Sequence, residues 1–92
     1  MKTIFITGSS SGIGRETAIY FSRRGWRVIA TMRNLQKAGD LSALPHVVLL
    51  PLDLTNPQQI RETCRTALEQ YDIDVLFNNA GYGIMGPFEA LP

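Results

Sequence analysis

The chain has 92 residues, a net charge of +1 and one cysteine, with 45% hydrophobic and 18% charged residues. These values suit one small globular domain, exclude an internal disulfide, and favour a cytoplasmic setting; the apolar runs Ile4 to Ile6 and Val47 to Leu52 are too short for a membrane span or a signal-peptide core. The charge is uneven, +5 over residues 1–40 and −4 over residues 41–92, which reads as solvated helix faces, and no basic run with interleaved aromatics or zinc spacing points to nucleic acid.

KTIFIT (2–7) is a short β-branched apolar run ending at a turn and predicts a buried strand. A helix is predicted from Gly12 to Arg24, with Ile13, Thr17, Ala18 and Phe21 on its apolar face and Gly25 as its stop. WRVIATM (26–32) is the second strand, and Asn34 can cap a short helix, LQKAG, ending at Gly39. HVVLLPL (46–52) is a third strand, with His46 leading into it. In TNPQQIRETCRTALEQY, Asn56 is an N-cap, Pro57 sits at the first helical position, and Gln59 completes a capping-box-like start. Ile60, Cys64, Ala67, Leu68 and Tyr71 then form a helical apolar stripe, where Cys64 serves packing. DVLFNN (74–79) is the fourth strand, and YGIMGPFEALP after Gly81 reads as loop.

Apolar strands alternating with amphipathic helices imply an α/β fold, a doubly wound parallel sheet covered on both faces. Right-handed crossovers favour the strand order 3-2-1-4. The first and fourth strands are then neighbours at the switch point, where such sheets bind ligands, and TGSSSGIG and NNAG stand at their C-terminal ends.

The glycines of TGSSSGIG fall at 8, 12 and 14. This spacing departs from both G-x-G-x-x-G and the phosphate-loop pattern, whose Gly-Lys pair is missing. A strand-to-helix turn of this kind still offers backbone N–H groups and a helix dipole to an anion. Gly8 makes the exit from the strand, Gly12 and Gly14 allow close approach, and Ser9, Ser10 and Ser11 add hydroxyl donors. A flexible serine-rich turn is the alternative reading of the loop alone.

TGSSSGIG resembles the Thr-Gly-x-x-x-Gly-x-Gly signature of the short-chain dehydrogenase/reductase family, and Asp53-Leu54 and Asn78-Asn79-Ala80-Gly81 stand where that family has matching residues. The resemblance spans the whole chain and implies a partial Rossmann-type sheet. It implies pyrophosphate binding by Gly8, Ser10, Ser11, Gly12, Ile13 and Gly14. It places Asp53 and Leu54 at the adenine, and Asn79, Ala80 and Gly81 beside the nicotinamide-side ribose; the alternatives are that Asp53 caps or closes the turn in DLTNP and that NNAG is an ordinary turn. The tail is similar to family members acting on secondary alcohols, steroids or retinoids, with Tyr82, Ile84 and Met85 as candidates for the substrate mouth, although they equally suit loop packing.

A site for NAD(H) has an acid at the end of the second strand that bonds the ribose 2′-hydroxyl. Here that strand ends Ala30-Thr31-Met32-Arg33-Asn34, and no acid lies between Glu16 and Asp40. Met32 holds the acid's place and Arg33 can pair with a 2′-phosphate. NADP(H) is therefore expected over NAD(H), with Arg15 either a second contact or a solvent-facing helix residue.

The family's acid–base chemistry uses a serine and Tyr-x-x-x-Lys. Four residues beyond Tyr20, Tyr71 and Tyr82 stand Arg24, Val75 and Gly86, so no catalytic residue is assigned. Residues 1–92 are read as the N-terminal, cofactor-binding part of one domain of an alcohol/carbonyl oxidoreductase that is homo-oligomeric in full-length form. Two alternatives are a non-catalytic nucleotide-binding module and an interaction fragment using its open sheet edge.

Overall fold

Five of the first seven residues are β-branched or aromatic, and they form the strand on which the rest assembles. A computed structural model describes residues 1–79. The elements run β1 (Thr3–Thr7), α1 (Gly12–Arg23), β2 (Arg27–Met32), a 3₁₀ segment (Leu35–Ala43), β3 (Val47–Pro51), α2 (Pro57–Gln70) and β4 (Val75–Asn78). The sheet is parallel with order β3-β2-β1-β4, as the alternation and crossover rule predict.

Side chains alternate across the sheet and divide the core in two. Ile4, Ile6, Val28, Ala30 and Met32 face α1 and the 3₁₀ segment, joined by Ala18, Ala38 and Leu41. Phe5, Ile29 and Leu52 face α2, joined by Ala67. Phe5 is fully buried, and truncating such a phenylalanine costs about 3–5 kcal/mol.

The helix faces differ from the predicted stripes. In α1 the buried residues are Gly14, Ala18 and Ser22, while Ile13 is 68% exposed. Small residues let the helix lie close on the sheet, and Phe21 packs at the margin, edge-on to Trp26 at 4.8 Å. In α2 the buried residues are Thr63, Cys64 and Ala67, with Leu68 63% exposed. Thr63 outranks Leu68 because its hydroxyl donates to the Pro51 carbonyl at 2.8 Å, which anchors the helix to β3.

The predicted five-residue helix is instead a nine-residue 3₁₀ segment, broken at Gly39, whose φ of 56° is non-helical. Gly39 thus sits inside the segment, and two short turns follow one another across it. Asn34 and Asn56 both cap as predicted, accepting from Gln36 N at 2.9 Å and Gln59 N at 3.1 Å. The Gln59 side chain departs from the capping box: its Oε1 accepts the N–H of Asp53 and so pins the start of the β3–α2 turn.

Candidate functional site

The turn after β1 is shaped by buried hydrogen bonds. Thr31 Oγ1 and Ser9 Oγ both donate to the Ile6 carbonyl, at 2.8 and 3.2 Å. Ser9 N donates to the Thr31 carbonyl at 3.0 Å. Ser9 is therefore turned into the fold and fully buried; the three consecutive serines do not all offer their hydroxyls to a ligand. Ser10 and Ser11 remain on the open side, half-buried and exposed respectively.

Gly8 and Gly12 have φ of 67° and 59°, the left-handed region that glycine occupies without strain. Gly14 serves a different need. A Cβ on it would lie 2.1 Å from the Gly8 carbonyl oxygen and 2.7 Å from Asn79 Nδ2. The start of α1 thus crosses the exit of β1 with no room for a methyl group. Ser11, the N-cap, makes no side-chain cap hydrogen bond, so the positive end of the helix faces outward beside the loop.

β4 completes the loop from the other side. Asn79 Nδ2 donates to the Gly8 carbonyl at 3.1 Å, and Thr7 Oγ1 donates to Asn78 Oδ1 at 3.1 Å. The two asparagines brace the loop, each through its own side chain. Ala80 and Gly81, and Tyr82, Ile84 and Met85 of the tail, lie outside the described residues.

Beyond the loop, the C-terminal ends of β1 and β2 and the turn after β3 surround a cleft of about 870 Å³. Its walls carry Gly8 and Ser10 from the loop, Met32, Arg33 and Lys37 from the β2 exit, and Asp53, Leu54 and Thr55 from the β3 exit. Ser11, Gly12, Ile13, Gly14 and Asn79 lie outside this cleft, along the start of α1 and the end of β4. Met32 is buried at 3% exposure within the α1-side core, whereas the next residue, Arg33, is exposed. The end of β2 therefore gives the cleft a cation and no carboxylate.

Asp53 is the acid of the cleft wall. Its Oδ1 accepts from Thr55 Oγ1 at 2.7 Å and Thr55 N at 2.9 Å. These bonds hold its carboxyl below the usual carboxylate range, helped by the Arg33 charge and opposed by a little desolvation. The alternative of a turn-closing role is real, since Asp53 also forms this Asx-type turn, yet Oδ2 makes no hydrogen bond among the described residues and stays open to a donor.

Arg15 is partly buried and holds two contacts within the fold. Its Nη1 donates to the Ala38 carbonyl at 3.2 Å, and its Nη2 lies 3.7 Å from Asp40 Oδ2. It fastens α1 to the 3₁₀ segment and is not part of the cleft wall. Lys37, which the sequence places in a short helix, lines the cleft beside Arg33. The signal for this is its place on the turn that follows Arg33. Among the described residues no group of His, Cys, Asp and Glu could hold a metal ion, and no helix is long and apolar enough to cross a membrane.

Residues 2–92 match the family model described as short chain dehydrogenase. Retinol dehydrogenase 8 of Bos taurus is 36% identical across 98% of this chain and 31% of its own length. The crystal structure of a short-chain dehydrogenase from Streptomyces avermitilis aligns with TM-score 0.82 and 37% identity, over 87% of this chain and 31% of that one. A short-chain dehydrogenase/reductase from Burkholderia multivorans with bound NADP aligns with TM-score 0.74 and 36% identity, over 87% of this chain and 36% of that one. The chain spans about a third of the length of the curated relatives it matches.

Proposed function

The chain belongs to the short-chain dehydrogenase/reductase family, and from that premise we propose that residues 1–92 are the N-terminal, NADP(H)-binding part of an oxidoreductase acting on an alcohol or carbonyl substrate. Bound at this site, the nicotinamide supplies a hydride donor or acceptor. The protein's own residues bind and orient. Gly8, Ser10, Ser11, Gly12, Ile13 and Gly14 receive the pyrophosphate at the open helix end. Asp53 and Leu54 hold the adenine, with Asp53 Oδ2 as acceptor for its amino group. Asn79, with Ala80 and Gly81, stands on the side of the nicotinamide ribose.

One observation carries the cofactor choice: at the end of β2 the cleft is lined by an almost fully buried Met32 and by an exposed Arg33. A guanidinium there pairs with a 2′-phosphate, and no acid is present to bond a free 2′-hydroxyl. The fit extends to the uncapped helix start and to the glycine backbone beside it.

Titration of NADPH and NADH into the wild-type chain and Arg33→Ala tests the reading. NADPH is expected to bind more tightly, and Arg33→Ala to weaken it by about tenfold or more while sparing NADH. Tighter NADH binding in the wild type, or an unchanged NADPH affinity in the variant, overturns it. The assignment to a longer enzyme is checked by the reading frame after Pro92: a serine and Tyr-x-x-x-Lys support it, and a stop codon favours a non-catalytic nucleotide-binding module.

A further inference from the structure

The 3₁₀ segment after β2 is held by two anchors. At its start, Asn34 accepts Gln36 N through Oδ1 at 2.9 Å and Lys37 N through its carbonyl at 3.0 Å. This folds the chain back, so that Lys37 lines the same cleft as Arg33. Further along, Arg15 reaches from α1 to the Ala38 carbonyl, the residue next to Lys37. Ala38 is itself buried, at 2% exposure, in the α1-side core.

Two cations thus stand on one wall of the cleft while a third, Arg15, is used for structure. The Lys37 ammonium makes no hydrogen bond or ion pair among the described residues, and neither does the Arg33 guanidinium. The acid of the cleft wall, Asp53, is across from them on the β3 exit, with one carboxylate oxygen already taken by Thr55. A dianionic phosphate with several acceptor oxygens can take a planar fork from Arg33 and a point charge from a lysine at once.

We propose that Lys37 is the second specificity-determining cation, which acts with Arg33 on the 2′-phosphate of the nucleotide. The assignment rests on the NADP(H) reading above. It replaces the expected Arg15 contact with a residue the backbone turn delivers to the cleft.

The test compares 2′,5′-ADP with 5′-AMP, which differ only by the 2′-phosphate. Both are titrated by calorimetry into the wild-type chain, Lys37→Met and Lys37→Arg. The wild type is expected to prefer 2′,5′-ADP. Lys37→Met should cut that preference about tenfold with 5′-AMP affinity unchanged, and Lys37→Arg should keep most of it. Because Lys37 is exposed, all three proteins should melt alike. A wild type without preference overturns the NADP(H) reading and this proposal with it. A clear wild-type preference that survives Lys37→Met, or an equal loss of both nucleotides, overturns the Lys37 assignment alone.

Discussion

Asn79 and Gly14 meet over one atom. The Asn79 amide donates to the Gly8 carbonyl at 3.1 Å, and a Cβ built on Gly14 would fall 2.1 Å from that same oxygen. The residue that follows β4 and the first turn of α1 are thus fitted together through the carbonyl of the first loop glycine.

Gly14→Ala should therefore be severe. Its methyl group would strike backbone, which cannot rotate away, and overpacking of this kind costs about 1–3 kcal/mol or more. Gly12→Ala is the contrast. Nothing lies within 4 Å of its Cβ position, so only the positive φ is penalised, by about 1–2 kcal/mol. Urea unfolding of both variants, followed by NADPH titration, should show Gly14→Ala to be the more damaged in both respects. The opposite ranking would mean that the loop can open without cost.

Met32→Asp, the obvious change towards NAD(H), should fail as a simple switch. It would place a carboxylate among Ile4, Ile6, Ala38 and Leu41 at a position only 3% exposed. A cost of about 2–4 kcal/mol is expected from burying that group without a designed partner. The midpoint of urea unfolding should fall, and NADH binding should not rise in proportion. An unchanged midpoint with tighter NADH binding would mean that the carboxylate is solvated from the cleft that Met32 lines.

Asp53 adds a pH dependence at the acid end. Its folded pKa is lowered, through Thr55 first, below the ordinary aspartate value of 3.8. The stability this contributes is present above about pH 4 and is lost as pH falls through the folded pKa. Thr55→Val removes the largest cause, so the Asp53 titration followed by NMR should move up towards 3.8. A titration that stays low in Thr55→Val would assign the effect to the Arg33 charge and the turn backbone.

At the alkaline end the sign is the same in form and opposite in direction. Burial pushes the Cys64 thiol above its ordinary value of 9.0. Its contribution is complete below about pH 9 and is lost as pH rises through the folded pKa. The thiol should react slowly with a disulfide reagent at neutral pH, because little thiolate forms, and should react at the rate of a free thiol once urea unfolds the chain. Fast reaction of the folded chain would show that α2 opens readily.

Much of this architecture is legible in the sequence. The alternation of apolar strands with capped helices determines a parallel sheet, and Asn34, Asn56 and Gly25 punctuate the text where the structure turns. The glycines at 8, 12 and 14 carried the loop. What escaped the sequence depends on tertiary contact. Periodicity favours large residues such as Ile13 and Leu68, whereas the sheet selects Gly14, Ala18 and Thr63 for their size or their hydroxyl. Ser9 and Ser10 are chemically identical, and only the backbone turn at Gly8 decides which faces in. The anchoring of Arg15 escaped because a hydrogen bond to Ala38, 23 residues away, cannot be read from spacing.

The Asn79–Gly8 hydrogen bond has a consequence in time. Its partners are 71 residues apart in the chain, as are those of the Thr7–Asn78 bond. Contacts of such separation close late, since the entropy of the intervening loop is lost before they form. During synthesis at about 5–20 residues per second, roughly 4–14 seconds pass between the first loop glycine and the asparagine that braces it. For that interval the nascent chain carries a glycine loop without its keystone, and the Gly8 carbonyl gains its brace only when β4 has emerged and docked.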